Sequence, residues 1–365
     1  IKFAKLDRNS AKKKYAIFQT EMELINEKCY PRMFVSLMIS NTECSSLSEH
    51  YALIGSYPEN SYFGNTVYSI CYIWDLCMNR MYRHINIPLY RYQGNNSYTL
   101  SSLTKSVICD DRQIAYIYDD SGVVWIWNFE TNTLQSEQIG QIQDFCIGND
   151  HSLFYITDSC FCKYGFDEII NIKSLSSALH FTKLYVNNLS RSVLAFSDYS
   201  EYVEFNEDTQ SYIIRNVTPD STELMILFYS AFDNYIYYRP YEEPAMICCK
   251  NVEADENVVL LTKDYVFKMY ANQDHQYLVY VGGDKLRCVD IASQTEMYSI
   301  QSMYTDQILK IGTNSHPDTF YTVNCNNFVV WKVYCAIEDN VFLLSTKVNQ
   351  SLFFNISFLI LAFIR

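Results

Sequence analysis

Residues Ile114–Phe129, IAYIYDDSGVVWIWNF, hold two short apolar runs on either side of a four-residue polar turn. Ile114–Tyr118 leads through Asp119-Asp120-Ser121-Gly122 to Val123–Trp127. Both runs are rich in β-branched and aromatic residues, which suit a pleated, half-buried surface. Asp and Gly tolerate the backbone geometry of a tight hairpin. A buried helix needs a longer run with a 3.6-residue period, and none is present here. The stretch therefore reads as a β-hairpin.

Working outward, the hairpin recurs. Its second run has counterparts at Tyr72-Ile73-Trp74-Asp75-Leu76, Cys162-Lys163-Tyr164-Gly165-Phe166 and Tyr202-Val203-Glu204-Phe205-Asn206. Others follow at Met246-Ile247-Cys248-Cys249, Arg287-Cys288-Val289-Asp290-Ile291 and Val329-Val330-Trp331-Lys332-Val333. Taking positions 74, 127, 164, 205, 249, 289 and 331 as equivalent gives intervals of 53, 37, 41, 44, 40 and 42. Five of these six intervals lie close to the ~40–45 residues of a four-stranded propeller blade. The long first interval holds a loop-like insertion at Tyr92–Tyr98, and Pro58–Asn65, just upstream of it, reads as another.

A further run lies upstream of each hairpin: Met33–Met38, Lys105–Cys109, Ile142–Ile147, Leu179–Val186, Leu224–Tyr229, Tyr265–Tyr270 and Gln307–Ile311. A more polar segment follows each one: Arg80–Ile87, Thr133–Ile139, Ile169–Lys173, Tyr212–Val217, Asn257–Leu261, Glu296–Gln301 and Asn340–Ser345. The expected fold is all-β, a seven-bladed propeller of four-stranded antiparallel blades over residues 14–346. An eighth blade, or the start of a second propeller, stays open. Tyr15–Thr20, with Met22 and Leu24, alternates as a ring-closing strand should, so residues 14–24 are expected to complete the last blade.

Trp74-Asp75 in IWDL, Trp127-Asn128 in IWNF and Trp331-Lys332 in VWKV resemble the end of the third strand in WD-repeat proteins. Asp120-Ser121-Gly122 resembles that family's turn between second and third strands. The family's Gly-His pair is missing, since none of the six His residues follows a Gly. Its Asp–His–Ser/Thr–Trp hydrogen-bond network therefore cannot be assembled, and apolar packing must hold the blades. The resemblance implies a non-catalytic scaffold for protein–protein interaction in a larger assembly. It also supplies settings, among them cytoskeletal or ciliary complexes.

Composition agrees with a β-rich globular chain: 49% apolar, 19% charged, with 32 Tyr and 22 Phe in 365 residues. Net charge is −13 and uneven. Residues 1–14 carry six bases against one acid, or +5, so the rest of the chain carries −18. An acidic body repels phosphate backbones, which argues against nucleic acid as a partner. Residues 1–13 read as a basic arm, and with Lys12, Lys13 and Lys14 they could meet an acidic partner. The thirteen cysteines form no C-x-x-C pair and read as small buried hydrophobes in a reducing compartment, so a cytoplasmic location is expected. The hydrophobic segment at 347–365 includes Leu352–Ile364, LFFNISFLILAFI, thirteen residues where a membrane span needs ~17–25. It reads as a docking segment or the start of a further blade.

No phosphate loop, nucleophile elbow, dinucleotide fingerprint or H-E-x-x-H motif occurs, so no catalytic residue, cofactor or metal is expected. The acid pairs Asp110-Asp111, Asp119-Asp120 and Glu242-Glu243 suit turns better than general acid–base work. Tyr237, Tyr238, Arg239 and Tyr241 form an aromatic and basic stretch that could stack on a partner. The alternatives to a scaffold are a propeller hydrolase using loop carboxylates and a membrane-associated propeller held by the C-terminal segment.

Overall fold

A computed structural model describes residues 27–38, 42–56, 68–92 and 98–158, and all but several loop stretches of residues 160–337. The basic arm with Lys12, Lys13 and Lys14, the expected closing strand at 14–24, the run Asn340–Ser345 and the segment 347–365 lie outside the described residues. So does the insertion Pro58–Asn65.

Every described element is a strand, and seven antiparallel sheets of four strands each account for all but one small hairpin. Blade 1 is Thr42–Leu47, Tyr51–Ser56, Tyr68–Asp75 and Arg80–Pro88; blade 2 is Leu103–Cys109, Ile114–Asp119, Val123–Asn128 and Thr133–Gln138. Blade 3 is Asp144–Ile147, Leu153–Ile156, Cys160–Lys163 and Glu168–Asn171. Blade 4 is Phe181–Asn187, Ser192–Ser197, Glu201–Asn206 and Ser211–Asn216; blade 5 is Leu224–Ser230, Tyr235–Pro240, Met246–Asn251 and Asn257–Leu261. Blade 6 is Met269–Ala271, Tyr277–Gly282, Lys285–Asp290 and Thr295–Ile300. Blade 7 joins Lys310–Thr313, Thr319–Val323 and Asn327–Ile337 to Glu27–Met38. The extra hairpin, Tyr90–Tyr92 with Tyr98–Leu100, brackets the second insertion expected from sequence.

Two strands differ from the sequence expectation. Met33–Met38 was expected to open blade 1, but it belongs to Glu27–Met38, the edge strand of blade 7. Blade 1 opens instead on Thr42–Leu47, TECSSL. This strand looks like a loop because its residues are small and polar. Yet Cys44, Ser45 and Ser46 are buried, and small side chains are what the site admits: a Cβ on Gly55 would stand 2.6 Å from Cys44 Sγ.

Burial follows strand position. Second strands are buried on both faces, as at Ala115–Asp119 and throughout Ser192–Ser197. Fourth strands face solvent, as at Thr133–Gln138 and Ser211–Asn216. This is why the inner runs read as continuous apolar stretches and the fourth ones as polar.

The chain divides into two compact units, Arg32–Lys332 and residues 1–31 with 333–365; in the smaller one Glu27–Pro31 and Val333–Ile337 are strand. Within the larger unit, apolar clusters join each blade to the next. Leu53 and Ile73 pack with Ile117, Trp125 and Trp127 between blades 1 and 2. Tyr116, Tyr118 and Val124 meet Phe145 and Leu153 of blade 3. Phe154 and Phe161 meet Phe205, Phe196 and Tyr202 meet Tyr229, and Tyr237 and Ile247 meet Leu278 and Tyr280. Tyr270 stacks on Phe320 at 5.1 Å between blades 6 and 7. Tyr321, Phe328 and Val330 then meet Ala52 and Ile54 of blade 1, and Tyr321 Oη donates to the Ser45 carbonyl at 3.3 Å. The blades therefore form a closed seven-bladed β-propeller. Each buried aromatic contributes ~1.5–3 kcal/mol to it.

Candidate interaction surface

One face of the ring carries the turns from first to second and from third to fourth strands. Both turn types end on a residue with positive φ. The first type does so at Gln113, His151, Arg191 and Asn234 (φ 51°, 63°, 50° and 57°), and the second at Asn79, Asn132, Gln210 and Gln294 (φ 49°, 57°, 53° and 55°). In the second type an Asp or Asn four residues earlier caps the turn. Asp75 Oδ1 accepts from Met78 N at 2.8 Å and Asn128 Oδ1 from Thr131 N at 2.8 Å. Asn206 Oδ1 accepts from Thr209 N at 2.9 Å and Asp290 Oδ1 from Ser293 N at 2.7 Å. Short side-chain acceptors of this kind replace the missing backbone partner in a turn. Asp75, Asn128, Asn206 and Asp290, each within one of the recurring runs of the sequence, are these caps.

On the same face, polar side chains bridge five successive blades. His50 of blade 1 approaches Asp110 Oδ2 of blade 2 through its backbone N–H (3.0 Å) and through Nδ1 (3.2 Å). From blade 2, Asp111 Oδ2 lies 3.3 Å from His151 Nε2 and Arg112 Nη2 donates to the Asp150 carbonyl at 3.3 Å. Glu207 of blade 4 reaches back into the blade 3 turn, where Oε1 accepts from Asn149 N (3.0 Å) and Nδ2 (2.7 Å) and Oε2 accepts from Asp150 N (3.1 Å). Glycine is required beneath it, because a Cβ on Gly148 would stand 2.8 Å from Glu207 Oε2 and 2.5 Å from the Phe154 ring. Asn187 Nδ2 then donates to Asn234 Oδ1 of blade 5 at 2.7 Å, beside the Tyr229 hydroxyl at 2.6 Å.

Two groups on this face carry potential chemistry. Cys109 Sγ lies 3.7 Å from His151 Nδ1, whose other nitrogen faces Asp111. The thiol is 3% exposed and burial pushes its pKa up. A thiol held neutral and covered is a poor nucleophile. Asp150 is the reverse case. Burial raises its pKa, but hydrogen bonds from Lys163 and Ser152 outweigh this and hold the carboxyl below its usual range.

The opposite face carries the turns from second to third strands. Asp119, fully buried, organises the turn of blade 2: Oδ1 accepts from Ser121 N, Ser121 Oγ and Val123 N (3.0, 2.5 and 3.1 Å), and Oδ2 accepts from Trp125 Nε1 (2.9 Å). Gly122 closes that turn at φ 89°. Asp144, on the first strand of blade 3, joins Lys105 Nζ of blade 2 at 2.7 Å to Leu184 N of blade 4 at 2.8 Å. His180 Nδ1 stands 3.2 Å from Asp198 Oδ2. Among the described residues no group of three or more His, Cys, Asp or Glu has the arrangement to hold a metal ion.

The aromatic and basic stretch singled out from sequence divides by burial. Tyr237 is fully buried between blades 5 and 6, and Tyr238 is 6% and Arg239 4% exposed. Burial, with Cys248 next to it, pushes the Tyr238 phenol up. Arg239 Nη2 reaches the Met225 sulfur at 3.7 Å. Of the four, Tyr241 presents its ring to solvent, at 45%.

Sequence reasoning missed a second surface. The fourth strand of blade 4, Ser211–Asn216, exposes Tyr212, Ile213 and Ile214 together, whereas its counterpart in blade 2, Thr133–Gln138, is TLQSEQ. Beside it a groove of about 310 Å³ runs between blades 4 and 5, lined by Tyr202, Arg215, Asn216, Ile236, Lys250 and Val252. The signal was in the sequence as SYIIRN, three apolar residues where a fourth strand should be polar.

No protein-family model matches the chain, and no curated protein matches it. Solved structures do. The β-propeller domain of Myceliophteria thermophila Cps50 (Swd1) superposes with a TM-score of 0.56 at 9% identity, covering 84% of this chain and all of that domain. At this identity the likeness establishes the propeller fold.

Proposed function

We propose that this propeller is a rigid, non-catalytic platform of WD-repeat type that holds other proteins within a larger assembly. One observation carries the reading: the titratable and amide side chains gathered on the turn face tie blade 1 to 2, 2 to 3, 3 to 4 and 4 to 5. Groups arranged in this way stiffen a ring. Binding on such a scaffold falls to its loops, rims and exposed edges. The likeness to a propeller domain supports the reading at the level of architecture. A basic N-terminal arm with Lys12–Lys14 meeting an acidic partner, and a cytoplasmic setting in cytoskeletal or ciliary complexes, extend the proposal on sequence grounds.

The test is affinity purification of the full chain from its own cells, followed by native mass measurement. A platform yields a small set of proteins in fixed stoichiometry. A chain that runs alone through gentle extraction and cross-linking overturns the reading.

A further inference from the structure

We infer that the outer edge of blade 4, strand Ser211–Asn216, receives an extended segment of a partner protein in which apolar and acidic residues alternate. The inference rests on the platform reading and names the partner's chemistry. The strand is last in its sheet, so the backbone groups of its far side face outward. An edge of this kind is a template for a further strand. Natural edges are usually blunted by charge or proline, yet here Tyr212, Ile213 and Ile214 are 44%, 49% and 47% exposed in succession. The corresponding strand of blade 2 carries Gln135, Ser136, Glu137 and Gln138, and that of blade 1 carries Arg80, Arg83 and His84.

Register divides the side chains between two faces. Tyr212 pairs with Phe205 and Ile214 with Val203, so they share the face turned to blade 3. Arg215 pairs with Tyr202, on the face turned to blade 5. There the groove offers two cations, Arg215 and Lys250, with apolar walls from Tyr202, Ile236 and Val252. Arg215 is set in place by Glu204, whose Oε2 accepts from Nε at 2.9 Å while Oε1 accepts from Ser192 Oγ at 3.0 Å. Its guanidinium side chain remains 47% exposed. In a chain of net charge −13 this is a local site for a carboxylate. A segment laid along the edge would therefore place apolar residues over Tyr212 and Ile214 and an acidic one against Arg215 and Lys250.

The probe is a fluorescein-labelled, end-capped hexapeptide, Ile-Glu-Val-Glu-Ile-Glu, titrated with the full chain and read by anisotropy. A second probe replaces each Glu with Lys. Saturable binding of the acidic peptide is expected, with none of the basic one. Arg215→Glu should weaken it at least tenfold. Tyr212→Thr with Ile214→Thr, which removes the apolar contact on the face turned to blade 3 while keeping strand propensity, should do the same with an unchanged far-ultraviolet spectrum and melting point. Failure of the acidic peptide to bind overturns the inference, as does equal binding of the basic peptide or indifference to either variant. Co-purification separates the two readings. Partners unchanged by the double variant leave the platform standing and remove this edge, whereas a wild-type chain without partners removes the platform and leaves the edge to the peptide result.

Discussion

Blades 2 and 4 share four strands and the same positive-φ turns between first and second and between third and fourth strands, but they secure their second and third strands by different means. In blade 2 the second strand ends on Asp119, whose carboxylate collects the turn's N–H groups and the Trp125 indole. The equivalent residue in blade 4 is Ser197, whose hydroxyl accepts from Tyr199 N at 3.2 Å and donates to the Glu201 carbonyl at 2.7 Å. Val203 stands where blade 2 has Trp125, as the pairings Trp125–Ile117 and Val203–Ala195 show. Aromatic packing takes over. Phe196 stacks on Tyr202 at 5.0 Å and 25° and meets Tyr185 edge-on at 5.8 Å. The same architecture thus tolerates a hydrogen-bonded and a packed solution, which lets the sequence drift away from a repeat signature while the ring persists.

The largest effects should come from the packed blade. Phe196→Ala removes a fully buried ring from the blade 4–5 interface and should lower unfolding free energy by roughly 3–5 kcal/mol, read by urea denaturation. A loss under about 1 kcal/mol would show that the stack does not hold blade 4. Next is Asp119→Ala, which strands two backbone N–H groups and the Trp125 indole in a buried site and should cost roughly 2–4 kcal/mol. Ser197→Ala, which loses fewer bonds, should cost about 1 kcal/mol. Equal losses at 119 and 197 would erase the distinction between the blades.

How much of this was legible in the sequence depends on whether the cause was local. The hairpin of blade 2 was, because Asp119–Gly122 and its flanking apolar runs carry their own turn chemistry. The burial of the second strand was legible at Ile114–Tyr118, which reads as an unbroken apolar stretch. Thr42–Leu47 was not legible, since serine at 45 and 46 signals a loop unless neighbouring strands are known to crowd it; Ser46 meets Ser106 Oγ of blade 2 at 3.2 Å. Nor was the edge position of Glu27–Met38, which pairs with a strand from the far end of the chain. The turn-face bridges join residues 38 to 60 positions apart, from Arg112 and Asp150 to His50 and Asp110, and spacing alone cannot pair them. At Tyr237 and Tyr238 composition suggested a stacking surface, but the second strand of a blade has no open face.

A smaller effect concerns how the turn between these blades responds to acid. Asp150, which Glu207 of blade 4 holds by its backbone N–H, has a carboxyl whose pKa is lowered, burial notwithstanding, by Lys163 and Ser152. A depressed carboxyl stabilises the fold fully above its unfolded value, ~3.9, and that stability is lost as pH falls through the lower folded value. Lys163→Met should therefore lower stability at pH 7 and flatten its decline below pH ~4. An unchanged acid-unfolding profile would show that the pair contributes nothing to the turn.

The smallest effect sharpens the comparison most. Gln113 in blade 2 and Arg191 in blade 4 occupy the same turn position with φ of 51° and 50°. Glycine relieves the strain of this conformation but adds backbone entropy to the unfolded chain, so the side chain's own bonds decide the sign. Gln113 Oε1 is buried without a hydrogen-bond partner, so Gln113→Gly removes a burden along with the strain. It should raise stability by about 0.5–1 kcal/mol. Arg191 Nε donates to Asp208 Oδ1 at 3.0 Å, tying the first turn of blade 4 to its third, and half of its side chain is exposed. Such a pair is worth about 0.2–1 kcal/mol, so Arg191→Gly should leave the melting temperature nearly unchanged. A gain at 191 equal to that at 113 would mean that the Arg191–Asp208 pair contributes nothing to blade 4.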